Sequence, residues 1–362
     1  MADHNSVLPP PTDRRSYLDV LRVAAVLGVV AIHVFGGIVV NPDIRGSKTW
    51  WAAVIVDVGS VWVVPMFVMV SGALLLTARA QAAGPGTFYR RRLLRLGPAF
   101  VFWQVFYILV ARMWISGQHL SFGGVFALFA DGTTYTHLYF LWLIVGLYAV
   151  APILYPFLAA GTRARAIATA LVLLAAVVLA YTASTLLTRF GSPHSITLTA
   201  FTQWIPYVGF FVAGVAFNGL RLSRSRVGVA GAVAVAALVA IILEYGLTEP
   251  GSTIRAVLPL GYPTLLTAIL VLALFVTVQG LIGEWRPSER VRNVLQVLSD
   301  ASFGVFLVHF VIMLLLRLVF PWLVEPQRTS FGITLLIWVA VVALSFAVTL
   351  VGRRIPFVRR IF

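Results

Sequence analysis

The sequence predicts an all-α integral membrane protein with about ten transmembrane helices in one bundle. Three observations predict it. Hydrophobic residues make up 60% of the 362 and charged residues only 11%. Apolar runs long enough to cross about 30 Å of hydrocarbon recur along the whole chain, and they are continuous rather than alternating, which excludes a membrane barrel. The cations also fall on alternate sides of successive runs. Counted from a cytoplasmic N-terminus, nineteen of the 27 lie in cytoplasmic segments and five in outer loops, while Arg22, Arg112 and Arg317 fall inside runs. That is the positive-inside bias of a multi-pass protein with both termini cytoplasmic. The net charge of +15 therefore reports topology, and no nucleic-acid partner is expected.

Residues 1–15, with Pro9, Pro10 and Pro11, read as a disordered cytoplasmic tail. The first span covers about 17–40. Ser16 is its expected N-cap, and Asp19 either supports the first-turn amides or pairs with Arg22 at i, i+3. The second span, about 50–77, holds Asp57 one turn inside its outer end, Pro65 as a kink point and Ser71-Gly72, a pair that permits close helix approach. The third, about 95–116, enters the membrane just after Arg90, Arg91, Arg92 and Arg95. The next four spans are expected near 138–160, 166–187, 205–220 and 227–246, of which 205–220 is the shortest. Pro259 and Pro263 interrupt the start of the eighth, about 257–282, so it begins late. The last two cover about 302–323 and 331–351, and residues 353–362 read as a basic cytoplasmic tail.

Cysteine is absent, so disulfide and thiolate chemistry are excluded. The first apolar run is longer than the core of a secretory signal and lacks a small-residue cleavage site. Neither an HExxH zinc motif, a phosphate-binding glycine loop nor a GxSxG elbow occurs, and no metal is expected. No inverted repeat of the transporter kind is evident.

The chemistry concentrates in the first span. Eleven residues separate Arg22 from His33, which on a helix returns to nearly the same face about 16 Å further along. Arg22 is thus expected near one membrane surface and His33 near mid-bilayer, facing the same neighbours. An ionisable side chain at that depth costs at least about 2.5 kcal/mol unless it faces protein or water, and marks a functional site by default. The milder alternatives are a histidine that hydrogen-bonds a neighbouring helix and an arginine that snorkels to the interface.

The stretch from Leu18 to His33, an Arg and a His with ten residues between them after a Leu-Asp-x-Leu context, resembles the membrane-bound acyltransferase-3 family. Four further segments agree in order. Pro65 to Gly72 is similar to the family's Phe-rich segment ending in Ser-Gly. Arg91 to Pro98 is similar to its basic RxxR segment. His137-Leu138-Tyr139-Phe140-Leu141-Trp142, with Tyr148 and Pro152, looks like the opening of its fourth span. Ser302-Phe303-Gly304-Val305-Phe306-Leu307-Val308-His309 looks like its late segment, with Phe306 where Tyr is more usual. The resemblance runs from residue 14 to about 350, and makes 16–352 an acyltransferase transmembrane domain. It implies an enzyme that moves an acyl group, usually acetyl from acetyl-CoA, to a hydroxyl or amine of a glycan or lipid-linked saccharide.

The residues can be read toward that chemistry. A cytoplasmic polyanion such as acetyl-CoA, or another short acyl-CoA, needs cations on the inner face. Arg90, Arg91, Arg92 and Arg95 form the densest cluster, Arg92 and Arg95 share a helix face, and guanidinium binds phosphate bidentately. Setting topology or binding anionic membrane lipid would explain the same cluster. Ser71 and Gly72 would either pack helices or admit a pantetheine arm. His33 is the expected general base, since an imidazole titrates near the operating pH. Arg22 would bind donor phosphate or orient the site. Transfer would be direct or pass through an acyl-histidine.

Four further residues are expected to support the site. His137 fits either an outer vestibule or the aromatic belt. His309, some seven residues into its span and so nearer the inner side, and Ser302 fit either the site or plain bundle hydrogen bonding. Asp57 could orient an arginine or histidine. His4, His119 and His194 fall in tails or loops. Arginine-rich usage with a single lysine suits a bacterial cytoplasmic (inner) membrane. A transporter or flippase of a hydrophilic or anionic substrate is the rival reading, because it also explains a buried arginine and histidine.

Overall fold

Helix α1 (Ser16–Val39) runs through the centre of the bundle. It is the element from which the others are placed. The computed structural model describes residues 15–362, so the expected tail over 1–15 lies, apart from Arg15, outside the described residues. Ser16 is not the N-cap. Arg15 holds that position with extended backbone and no capping side chain, so Ser16 opens the first turn and Asp19 sits one turn in.

The second span is broken. Helix α2 (Lys48–Asp57) gives way to a 3-10 turn at Val58–Ser60 before α3 (Val63–Leu75) begins. The cause is Pro65, whose ring excludes a regular turn across the preceding four residues and which has no N–H to give. Helix α4 (Gly84–Phe106) starts eleven residues ahead of its apolar run, at Gly84 with φ +79° and Pro85 in the first turn. Arginine lowers hydropathy yet is a good helix former, so the basic segment is helical rather than a loop. The helix then widens to a π-helix over Tyr107–Ile115.

Helices α5 (Tyr139–Ala159) and α6 (Arg163–Arg189) follow as expected. The span expected at 205–220 is shorter, a 3-10 turn at Ile205–Tyr207 leading into α7 (Val208–Phe217). Gly209 through Ala216 are all buried, so α7 is an internal helix packed between α3 and α6. It meets α3 through two glycines. A Cβ on Gly72 would lie 1.8 Å from the Phe211 carbonyl oxygen, and one on Gly214 would lie 1.9 Å from that of Met69.

Helix α8 (Arg224–Leu247) packs on α9 (Leu265–Ile282), which begins only after the proline-interrupted segment. Helix α10 (Glu289–Val319) starts thirteen residues before its apolar run and lies along α1 and α11 (Phe331–Gly352). His309 is therefore in the second half of α10, as His33 is in the second half of α1, and neither lies toward the starting end of its helix.

Among the described residues nine helices are long and apolar enough to cross a membrane, and there is no strand. Side chains such as Phe102, Leu109, Leu179 and Leu336 face outward, as lipid-facing positions do. The 353–362 segment docks on the bundle. Trp103 donates from Nε1 to the Ile361 carbonyl at 2.7 Å, and Phe362 fits against Gly304 and Gly352.

Candidate active site

A cavity of about 850 Å³ opens at the arginine-rich end of the bundle. Helix α1 lines it with Leu18, Asp19 and Arg22, and α3 with Phe67, Val70 and Ser71. Helix α4 supplies Arg92, Arg95 and Leu96, and α5 supplies Phe140, Ile144 and Tyr148. Helix α10 adds Ser299, Asp300, Ser302, Phe303 and Phe306. Arg15, Arg79 and Asn218 also line it, with Leu74 and Thr77 among the smaller contributors. Five arginines thus border one concavity, against the two carboxylates of Asp19 and Asp300.

The sequence-predicted residues divide sharply. Arg22 reaches α10, its guanidinium donating to Ser299 Oγ at 3.5 Å. Ser302 is buried and donates from its hydroxyl to the Ser299 carbonyl at 2.7 Å, which ties off that turn of α10. Asp19 is 6% exposed at the cavity margin. Arg92 is held between two rings, 5.2 Å from the Phe88 centroid and 5.5 Å from that of Tyr148, and its Nε–H is buried without an acceptor. Arg95 is exposed at the mouth, Arg91 borders a smaller space next door, and Arg90 lines neither. Ser71 faces the cavity. Gly72 does not, because its bare Cα is spent on the contact with α7. Of the two roles open to Ser71-Gly72, the serine is placed for one and the glycine for the other.

The cavity ends on three phenylalanines. Phe140 lies 6.0 Å from Phe67 and 5.2 Å from Phe306, ring centre to ring centre, forming one aromatic layer. Beyond that layer lie the three histidines of the middle of the bundle. The rings of His33 and His309 stack at 5.4 Å, and His137 meets His309 at 5.0 Å. Phe310 touches all three at 4.5–4.8 Å. Arg22 and His33 do face one neighbour, α10, as their spacing predicts. They sit on opposite sides of the phenylalanine layer, and His33 does not line the cavity. The reason is Phe306, one turn before His309, whose ring fills the passage between Phe140 and His137 at 5.2 and 5.1 Å.

The histidine cluster has open valences. His309 Nδ1 lies 2.6 Å from the Phe306 carbonyl, which fixes the proton on Nδ1 and leaves the Nε2 lone pair free of any partner among the described residues. His137 is 2% exposed and neither of its ring nitrogens is bonded. Tyr107 closes the cluster from α4's side, donating to the Leu307 carbonyl at 2.8 Å. On the far side, a Cβ on Gly36 would lie 3.6 Å from Asp57 Oδ2, so the Asp57 carboxylate sits one turn along α1 from His33. Among the described residues no group of His, Cys, Asp and Glu side chains has the arrangement of a metal site.

Sequence reasoning did not single out Arg79, Asn218 or Asp300. Asn218 is the centre of a polar knot behind the cavity. Arg15 donates to its Oδ1 at 3.1 Å, Tyr17 donates to the same oxygen, and Arg163 donates to its carbonyl at 3.1 Å. Gln279 accepts from the Gly219 amide at 2.7 Å. These residues come from segments more than two hundred and sixty positions apart, and no local signal announces them.

The chain matches the family model described as an acyltransferase domain over residues 15–354. No curated protein and no solved structure matches it. With nearly the whole helical bundle covered by that match, the chain belongs to the acyltransferase-3 family and is an integral membrane acyltransferase.

Proposed function

We propose that this protein moves an acyl group, acetyl in the simplest case, from acyl-CoA to a hydroxyl or amine of a glycan or lipid-linked saccharide. The observation that supports it is the order of features along α10: an arginine-lined cavity, then a phenylalanine layer, then a histidine cluster with unbonded nitrogens. The positive-inside bias supports a cavity that faces the cytoplasm, where acyl-CoA is made, and in this reading the membrane is a bacterial inner membrane.

Donor phosphates bind Arg92 and Arg95, with Arg22 and Arg15 deeper in the wall. The pantetheine arm passes Ser71, and the thioester ends against Phe140 and Phe306. Transfer then requires the Phe306 ring to swing aside. The acceptor, entering past His33 from the Asp57 side, loses its proton to His33 as its oxygen or nitrogen bonds to the thioester carbonyl carbon. The carbon–sulfur bond breaks and coenzyme A leaves as thiolate toward the arginines. His309, locked by its Nδ1 contact, supports the His33 ring by stacking. An acyl-His33 formed first, then attacked by the acceptor, uses the same geometry.

The test is donor binding and turnover by purified protein in detergent. Acetyl-CoA should bind, and thiol release should depend on His33. A protein that neither binds nor hydrolyses acetyl-CoA, while carrying an anionic solute across vesicles, would be the transporter instead.

A further inference from the structure

A second concavity of about 310 Å³ adjoins the donor cavity, and the two share Leu74, Thr77, Arg79 and Arg92 in their common wall. Its remaining cation is Arg91. Three guanidiniums therefore surround a space roughly a third the size of the main one, with no acidic residue on its lining. In the main cavity Asp19 and Asp300 offset part of the charge. Here nothing does.

Arg92 is the hinge between the two spaces. Its guanidinium is held in place by Phe88 and Tyr148, and its Nε–H is buried with no acceptor. That nitrogen has almost no accessible surface, so an anion in the smaller space would meet the rest of the Arg92 side chain, which lines it together with Arg79 and Arg91. Arg79 and Arg91 are both exposed at its rim, free to close on that anion from the solvent side.

Two adjoining cationic spaces fit a ligand with two separate phosphate groups. Coenzyme A has that form: a diphosphate joins adenosine to the pantetheine arm, and a single phosphate branches from the ribose 3′ position. Resting on the acyl-CoA reading above, we infer that the Arg79–Arg91–Arg92 annex is the subsite for the ribose 3′-phosphate, while the main cavity takes the diphosphate and the arm. The site then distinguishes coenzyme A thioesters from thioesters lacking that phosphate. A lipid phosphate is the other source of the same chemistry, since the annex lies at one end of a membrane bundle.

The experiment compares acetyl-CoA with 3′-dephospho-acetyl-CoA by calorimetric titration of the full chain in neutral detergent. The dephospho donor should bind at least about tenfold more weakly, the loss expected for a charge-assisted contact. Arg91→Ala, at an exposed position that borders the annex alone, should weaken acetyl-CoA to a similar degree and leave the dephospho donor unchanged. Arg90→Ala, which lines neither space, should alter neither affinity. Equal affinities of the two donors for the unaltered protein overturn the subsite, whatever the variants do. So does an Arg91→Ala protein weakened equally toward both. If equal affinities come with stabilisation by phosphatidylglycerol that Arg91→Ala abolishes, the annex is a lipid-phosphate site. If acetyl-CoA does not bind at all, the donor reading itself falls, and the subsite with it.

Discussion

The imidazole of His33 lies on that of His309, ring centres 5.4 Å apart and planes within 20° of parallel. The two residues are 276 positions apart in the chain, yet each is in the second half of one of two neighbouring helices. Stacking fixes the His33 ring while the backbone contact of His309 Nδ1 fixes its partner.

His33→Ala should abolish transfer and leave acetyl-CoA binding nearly intact, because His33 lies outside the donor cavity. Loss of a general base costs about 10²–10⁴ in rate. Glutamine keeps reach and hydrogen bonding but accepts no proton at neutral pH. Transfer by His33→Gln above about a third of the unaltered rate, far more than loss of a base would leave, would refute the mechanism.

Phe306 separates the arginine-lined cavity from the histidine cluster, and in the proposed reaction it separates thioester from histidine. Phe306→Leu should shorten that barrier, raising acceptor-independent release of thiol from acetyl-CoA, while Phe306→Tyr should not. Release can be followed with a thiol-reactive chromophore. A Phe306→Leu protein that folds, binds donor and hydrolyses it no faster than the original would show that the ring is not the barrier.

Arg92 and Arg95 are assigned to donor phosphate. Replacing both by alanine should weaken acetyl-CoA binding at least about tenfold, since each charge-assisted contact is worth about 1.5–3 kcal/mol. Unchanged affinity in calorimetry would leave the pair a role in topology only.

Gly72→Ala should destabilise the bundle without touching the donor site. Its new Cβ would meet the Phe211 carbonyl oxygen at 1.8 Å, and backbone cannot yield as a side-chain tip does. Overpacking costs about 1–3 kcal/mol and more where backbone must move. Thermal unfolding in detergent should show a clear fall in midpoint, with donor affinity retained in the folded fraction. Ser71→Ala should show the opposite pattern.

Both termini should be cytoplasmic, from the distribution of arginine along the chain. A reporter fused after Phe362 that is active only outside the membrane would overturn the orientation.

Membrane helices were legible because hydrocarbon demands long apolar runs, and α5, α6, α8 and α11 follow them closely. Where charge and helix coincide, hydropathy reads the boundary late. It began the third run at Arg95 and the ninth at Ser302, whereas the helices that carry them begin at Gly84 and Glu289. The Arg22–His33 spacing put both residues on one face of α1, since helical periodicity is local. It could not show Phe306 between them, because that ring arrives from a helix nearly three hundred residues later. For the same reason Asn218, Gln279 and Tyr17 went unread: their knot exists only once three distant segments meet.

The phenylalanine layer also bears on the electrical integrity of the membrane. A cavity open to one side brings that side's potential inward with it, so the transmembrane voltage drops over the short stretch that remains closed. Moving one elementary charge through the whole drop corresponds to about 2.3 kcal/mol per 100 mV. In the proposed reaction the acyl group passes Phe67, Phe140 and Phe306 while the phosphates and the thiolate stay with the arginines and the acceptor's proton goes to His33 on the other side, so each transfer separates one elementary charge across the rings. The reaction is electroneutral across the seal only when the proton held by His33 returns past the rings to the thiolate; released on the far side instead, it makes each turnover work with or against the membrane potential.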